Sequence, residues 1–347
     1  MSIDHFLEPR ILIVSGKGGV GKTTVAAALA IVAARHGRRV CIAEVDRKGT
    51  LPRLFGGADL GYEPRQLAPG VFGMNIVPEA ALAEYLAVQY HMKRISKAFT
   101  SSHFVDYITA AAPGLKDILM LGKIWYLEQG REHGGPASGG RNGPFDTIIV
   151  DAPAAGHMLT FLSAPMGLAD AVRLGPVKRQ SDWLVEMLQD PKRTRVHLVT
   201  LPEEMPVSET LETAEALKER VGINAGTVFA NAVYSELLDP AEKAVFADIG
   251  AGKPMATLKK VASSAGITLD SEDVAALIGY GRFLMARQAI QSVHLKKLRR
   301  GIEGPVVELP FLFSAGLALP DIENLADVIE EGAAQTPAAG ARRAAGS

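Results

Sequence analysis

An apolar run, a glycine-rich turn and the polar triplet Lys-Thr-Thr occupy residues 11–24, Ile-Leu-Ile-Val-Ser-Gly-Lys-Gly-Gly-Val-Gly-Lys-Thr-Thr, and constrain this chain more than any other feature. The frame Gly16-x4-Gly21-Lys22-Thr23 is a complete phosphate-binding loop set between a strand-like stretch and the helix-like stretch Val25–Val32. Glycine lets the backbone take positive φ and approach a ligand closely. Successive N–H groups then turn inward as a nest for phosphate oxygens, and the start of the following helix adds partial positive charge. The residues expected around the nucleotide are Gly16, Lys17, Gly18, Gly19, Val20, Gly21, Lys22, Thr23 and Thr24. Lys22 is expected to reach the β- and γ-phosphates and the Thr23 hydroxyl to sit on Mg2+, so ATP and Mg2+ are the expected cofactors.

Buried parallel strands read as short continuous apolar runs. Six such runs follow the chain: Ile11–Val14, Val40–Ala43, Thr147–Val150, Val196–Thr200, Val228–Ala230 and Val306–Leu309. Helix-like stretches lie between them, including Ser208–Arg220 with Ser208 as its expected N-cap and Gly222 beyond its end. The alternation predicts an α/β fold with a doubly wound, mostly parallel sheet. At 347 residues, one ATPase-type domain over 1–334 is expected, with a tail at 335–347 read as disordered. Segments about 79–129 and 166–189 interrupt the rhythm and read as one small helical subdomain above the nucleotide site. A further helical insertion is expected at 239–300, ending in the basic cluster Lys296-Lys297-Leu298-Arg299-Arg300, and Gly130–Pro144 reads as a loop.

Acids at strand ends complete the expected site. Asp46 follows the second strand, beside the loop in a doubly wound sheet, and is the candidate to orient the attacking water, with Glu44 second. Asp151 ends the apolar run Thr147–Val150 and is expected to hold Mg2+ together with Thr23. Gly156 is placed to offer its N–H to the γ-phosphate; His157 reads as a switch, a capping or a buried residue. Asn231 offers both donor and acceptor to a purine edge, and Pro310 a surface to pack on its ring.

Composition bounds the alternatives. Lys+Arg 37 against Asp+Glu 38 leaves a net charge of −1, which argues against a broad nucleic-acid surface. Cys41 is the single cysteine and falls on an expected core strand, so no intrachain disulfide or cysteine metal cluster is expected. The N-terminal residues lack a basic region and a long apolar core, and no long apolar stretch is free of charges, so a cytoplasmic location is expected.

The loop with Lys17 resembles the deviant Walker A pattern K-G-G-x-G-K-[ST]. With Asp46–Leu51, Phe145–Asp151, Gly156-His157-Met158-Leu159-Thr160-Phe161-Leu162 and Asn231, the chain resembles the arsenite-translocating and tail-anchored-protein-targeting ATPase family, as a bacterial-type single half. The resemblance implies that Lys17 crosses a dimer interface to the partner's nucleotide and acts with Lys22 and Asp46 in catalysis. It makes Asp46 a switch aspartate, Asp151 to His157 a second switch, and Asn231 an adenine contact. It implies a Mg2+-dependent ATP hydrolase whose closure as a homodimer, or as a heterodimer with a paralogous ATPase, controls a client protein segment or a membrane partner. The chain departs from that family in lacking the cysteines of an arsenite or zinc site, so neither site is expected. Met92, Met120, Met166 and Met187 suit either an apolar groove or a core. The alternative reading is a septum-positioning or partition-type ATPase that works as a membrane or DNA scaffold.

Overall fold

The computed structural model describes residues 6–45, 49–90, 114–130, 144–172, 174–236, 243 and 255–335. Asp46, Met92 and most of the residues read as loop 130–144 and tail 335–347 lie outside them.

Eight strands form one sheet: β1 (Ile11–Gly16), β2 (Val40–Val45), β3 (Arg65–Ala68), β4 (Val71–Ile76), β5 (Thr147–Ala154), β6 (Thr194–Thr200), β7 (Ala225–Val233) and β8 (Val306–Pro310). Their order is β3-β4-β2-β5-β1-β6-β7-β8, parallel except where β3 meets β4. The fold is thus the α/β, mostly parallel sheet that the six apolar runs imply, and each run lies in a strand. The hairpin of β3 and β4 is an addition the sequence concealed. β3 carries exposed Arg65 and Gln66 on a sheet edge, and β4 holds a glycine at Gly73, so neither reads as an apolar run.

Alternation across the pleat divides the core into two layers. Leu12, Val14, Ile42, Ile149, Val199 and Phe229 face α1 (Lys22–Arg35) and α10 (Leu319–Gln335). α1 is wedged so tightly that Lys22 through Ala33 are all buried, and its run of alanines makes that approach possible. Ile11, Ile13, Val150, Val196 and Leu198 face the other layer. There lie α4 (Leu115–Gln129), α5 (Ala155–Ala171), α6 (Pro176–Gln189) and α7 (Glu204–Ala216), with a π-helical turn, Leu217–Val221, after α7. The short α2 (Leu51–Leu54) and α3 (Pro78–Tyr90) follow β2 and β4, and α8 (Met255–Ser264) and α9 (Ser271–Gly301) precede β8.

Three expectations change in detail. Ser208 is not an N-cap: α7 begins four residues earlier, at Glu204, and the Ser208 hydroxyl donates back to the Glu204 carbonyl at 2.9 Å. Gly222 does end the helical run, at φ 74°. Met166 lies inside α5, so the stretch 166–189 divides between the end of α5 and all of α6. Met120 and Met187 pack into the main core, which settles those two methionines as core residues. The basic cluster ending α9 is tied locally, with Lys297 Nζ 2.8 Å from Ser208 Oγ and Arg299 paired with Glu308.

Helices α3, α4 and α6 enclose a cleft of about 490 Å3 with walls from Leu82, Leu86, Ile118, Leu119 and Leu184. Trp125 and Trp183 stack beside it with ring centroids 5.3 Å apart and planes 1° from parallel. Lys123 Nζ meets Glu84 Oε1 at 2.8 Å in this wall and lies 4.5 Å above the Tyr62 ring, whose hydroxyl also donates to Glu84.

Candidate active site at the carboxyl ends of the strands

The loop between β1 and α1 leaves the middle of the sheet, where β1 runs between β5 and β6. Gly16 closes the strand. A Cβ there would stand 2.0 Å from the Val199 carbonyl oxygen of β6, so only glycine lets the chain turn so near its neighbour. Gly21 sits at φ 93°, and a Cβ would meet Asn231 Nδ2 at 2.3 Å. That close approach is used: Asn231 Nδ2 donates to the Val20 carbonyl at 2.9 Å, stitching the end of β7 to the loop.

Lys22 is buried and folds back, its ammonium donating to the Lys17 carbonyl at 3.0 Å. Thr23, one residue into α1, donates its hydroxyl to Asp151 Oδ2 at 2.6 Å. Asp151 is fully buried near the end of β5, beside Val14 of β1 and opposite Glu44 of β2. Ser15 Oγ donates to the Pro153 carbonyl at 2.8 Å, so the loop strand and the segment after Asp151 are bonded to each other. Thr23, Asp151 and Glu44 form a wall of oxygen donors. Such a wall suits a hard divalent cation like Mg2+ and fits poorly with a thiophilic metal.

Glu44, the second candidate for orienting the attacking water, is 1% exposed. Burial, and then the charge of Asp151, push its carboxyl above the usual range, while N–H bonds from Leu51, Thr50 and Gly49 pull it back. Asp46, the first candidate, lies outside the described residues.

α5 begins at Ala155 directly after β5, whose Ala154 pairs in register with Gly16. Gly156 and His157 lie exposed on its first turn, so His157 is not a buried core histidine. Pro310 ends β8 opposite Val233, two residues past Asn231, on the neighbouring strand. The sequence reading missed what surrounds these two. Tyr234 stacks on Phe311 at 4.8 Å with planes 9° apart, and Phe313 meets Phe311 edge-on at 4.8 Å. Aromatics in the irregular stretches after two strands carry no periodic signal. Glu209 was missed too: its carboxylate lies 2.8 Å from the Lys17 ammonium, both about one-third exposed.

Cys41 is fully buried in β2, and burial raises its thiol to about 12, so it presents no thiolate to a soft metal at neutral pH. Among the described residues no three His, Cys, Asp or Glu side chains gather as a metal cluster, and no helix is long and apolar enough to cross a membrane.

Comparison with known proteins converges on one group. The family model of the anion-transporting ATPases matches residues 9–182. The ATPase BagA of Mycobacterium tuberculosis is 32% identical over 93% of this chain and 93% of its own length. An arsenical pump-driving ATPase of Acidiphilium multivorum is 27% identical, over 66% of this chain and 40% of its own length. One of Escherichia coli is also 27% identical, over 59% of this chain and 36% of its own length.

Proposed function

This chain belongs to the anion-transporting ATPase family of P-loop ATPases and hydrolyses ATP, and on that premise we propose a nucleotide-driven dimeric switch that grips an apolar client. The observation that carries the hydrolytic part is the Thr23–Asp151 bond of 2.6 Å directly under the loop. In this reading the loop N–H groups and Lys22 bind and orient the β- and γ-phosphates. Thr23 and Asp151 hold Mg2+, which when bound neutralises phosphate charge. Asp46 orients the water that attacks the γ-phosphorus, giving ADP and phosphate. Gly156 offers its N–H to the same phosphate. Asn231, Pro310 and the aromatic group beside them border the base.

Lys17 acts across the interface of a pair, either two copies of this chain or this chain with a paralogous ATPase. There its charge stabilises the transferring phosphoryl group, as an arginine finger does. The cleft of α3, α4 and α6 supports the client half of the reading. It is apolar, and α6 joins α5, which starts immediately after the Asp151 strand. A shift at Gly156 has a short mechanical route to the cleft wall. The client is an apolar protein segment or the apolar part of a membrane partner.

Two measurements test this. Sedimentation of an Asp46→Asn variant with ATP and Mg2+ is expected to show a doubled mass that ADP does not support; a single-protomer mass in both conditions rejects the pairing. A fluorescent leucine-rich helical peptide is expected to bind about tenfold more tightly in one nucleotide state than in the other, and Ile118→Asp is expected to abolish that binding. Equal affinity in all states rejects the client switch.

A further inference from the structure

We propose that Gln291 is a positioning residue for the base of the nucleotide: from α9 it bonds both sides of a bulge in β7 and so holds Asn231 against the phosphate loop. The proposal rests on the reading above that Asn231 borders the base. β7 takes three steps from Ala230 to Val233 while β8 takes two from Glu308 to Pro310. The extra residue makes a bulge, and a bulge re-aims the side chains beside it. Asn231 is one of the two residues inside it, and its Nδ2 reaches the Val20 carbonyl at 2.9 Å. The other is Ala232, at φ 58° the only non-glycine residue with positive φ among the described residues. A residue with a Cβ adopts that conformation at a cost, so surrounding contacts have to impose it.

Gln291 supplies those contacts. Its side chain is buried; Nε2 donates to the Ala232 carbonyl at 2.9 Å, and Oε1 accepts the Tyr234 N–H at 2.8 Å. The carbonyl of Val233, between them, still accepts the Phe311 N–H at 2.8 Å. One partner of Gln291 is an acceptor and the other a donor. An amide serves both, a carboxylate one, and an apolar side chain neither. Neighbours on the same face of α9 hold the same stretch. Gln288 Nε2 donates to the Ser235 carbonyl, and the Arg287 guanidinium lies 5.8 Å from the centre of the Tyr234 ring. Tyr234 stacks on Phe311 in turn, so the aromatic group and Asn231 depend on one buried amide that acts through the backbone of β7. Contacts to the base are made alike in the ground state and the transition state. Loss of Gln291 is therefore expected to act on nucleotide affinity and base choice and to leave kcat nearly unchanged.

The test titrates the full chain with Mg2+-ATP, Mg2+-GTP and Mg2+-tripolyphosphate, the last of which has no base. The parent is expected to bind ATP at least about tenfold more tightly than GTP. Gln291→Met fills the same space without polar groups. It is expected to weaken ATP about tenfold, with GTP and tripolyphosphate within about twofold and kcat within about threefold of the parent. Gln291→Asn keeps an amide one methylene too short to reach both groups. It is expected to lose at least about threefold in ATP affinity, and it decides the question if Gln291→Met does not fold. Ala232→Gly removes the cost of the left-handed residue, so adding it to Gln291→Met is expected to bring ATP affinity back to within about threefold of the parent. Equal weakening of all three ligands would mean a merely structural role, and would overturn the proposal. ATP affinity within about twofold of the parent in both Gln291 variants, or no recovery with Ala232→Gly, would overturn it too. Asn231→Ala separates the two failures. A parent without a preference for ATP, or an Asn231→Ala variant that keeps it, defeats the base contact of Asn231 instead; a loss at Asn231 without one at Gln291 defeats the positioning role alone.

Discussion

At the loop edge of the sheet, charged side chains are directed at backbone and at a space shaped for phosphate: Lys22 rests on the Lys17 carbonyl. In the cleft of α3, α4 and α6 the charged side chains find each other, Lys123 against Glu84, inside an apolar wall. The same residue types do different work. Charges left facing backbone and ligand space gain their full worth when a charged ligand arrives. Charges neutralised among themselves let a wall stay apolar, so they serve structure and contribute nothing to chemistry.

The sharpest way to break this contrast is kinetic. Lys22→Ala is expected to reduce ATP turnover about 1000-fold or more, because it removes the loop's charge from the phosphates. Lys123→Met is expected to leave turnover within about twofold in a steady-state assay. A large kinetic loss at Lys123 would show that the cleft pair is not merely structural.

Lys123→Met should instead appear in stability. It takes the cation from the mostly buried Glu84 carboxylate, to which the Tyr62 hydroxyl still donates, and a loss of about 3 kcal/mol in urea unfolding is expected. The double variant Lys123→Met with Glu84→Leu is expected to regain most of it, since no charge is then left unpaired. A double variant as unstable as the single one would mean that the wall depends on the bond from the Tyr62 hydroxyl to Glu84.

A third region, the floor beneath the loop, gives a smaller and pH-dependent effect. Burial, and then the charge of Arg195, hold His197 down to about 3, with its Nδ1 accepting the Thr227 N–H at 3.1 Å. The unfolded chain takes up that proton near 6.5, so the folded state binds fewer protons below that pH. The stability tied to a neutral His197 is therefore complete above about 6.5 and is lost as the pH falls toward about 3. Comparing urea midpoints at neutral and mildly acid pH, His197→Gln is expected to remove about 2 kcal/mol of the acid loss. An unchanged pH slope in that variant would assign the acid sensitivity elsewhere.

The smallest expected effect lies at Glu209. Its exposed pair with Lys17 holds the proposed cross-interface lysine on its own protomer. Glu209→Gln is expected to raise turnover at limiting protein concentration by about twofold to fivefold, the range of an exposed ion pair. Slower turnover would instead make Glu209 part of the working site.

Legibility in the sequence follows the same contrast. The loop, its strand and helix, and the acid after the apolar run of β5 are set by local rules: glycines where a Cβ would strike Val199 or Asn231, and apolar runs buried on both faces. Such rules act over a few residues and can be read there. β3 and β4 escape because β4 is held by pairing with β2, and β3 by pairing with β4, and not by an apolar run of their own. Ser208 misleads because a serine that caps and a serine that bonds back to the previous turn look alike in sequence. The Glu209 pair and the Tyr234–Phe311 stack join residues that only the folded chain brings together. The cleft showed in the sequence only as helical spacing, which does not say whether a face closes on a core or leaves a hollow.

Trp125 and Trp183 are the only tryptophans in this chain, and they lie face to face in the cleft wall. Indole emission excited at the red edge therefore arises wholly from that wall, and coupling between the parallel rings should give a paired circular-dichroism band of opposite signs in the far ultraviolet. Any event that parts α4 from α6 would erase that band without a label being attached. The molecule thus carries its own optical gauge for the state of its helical layer.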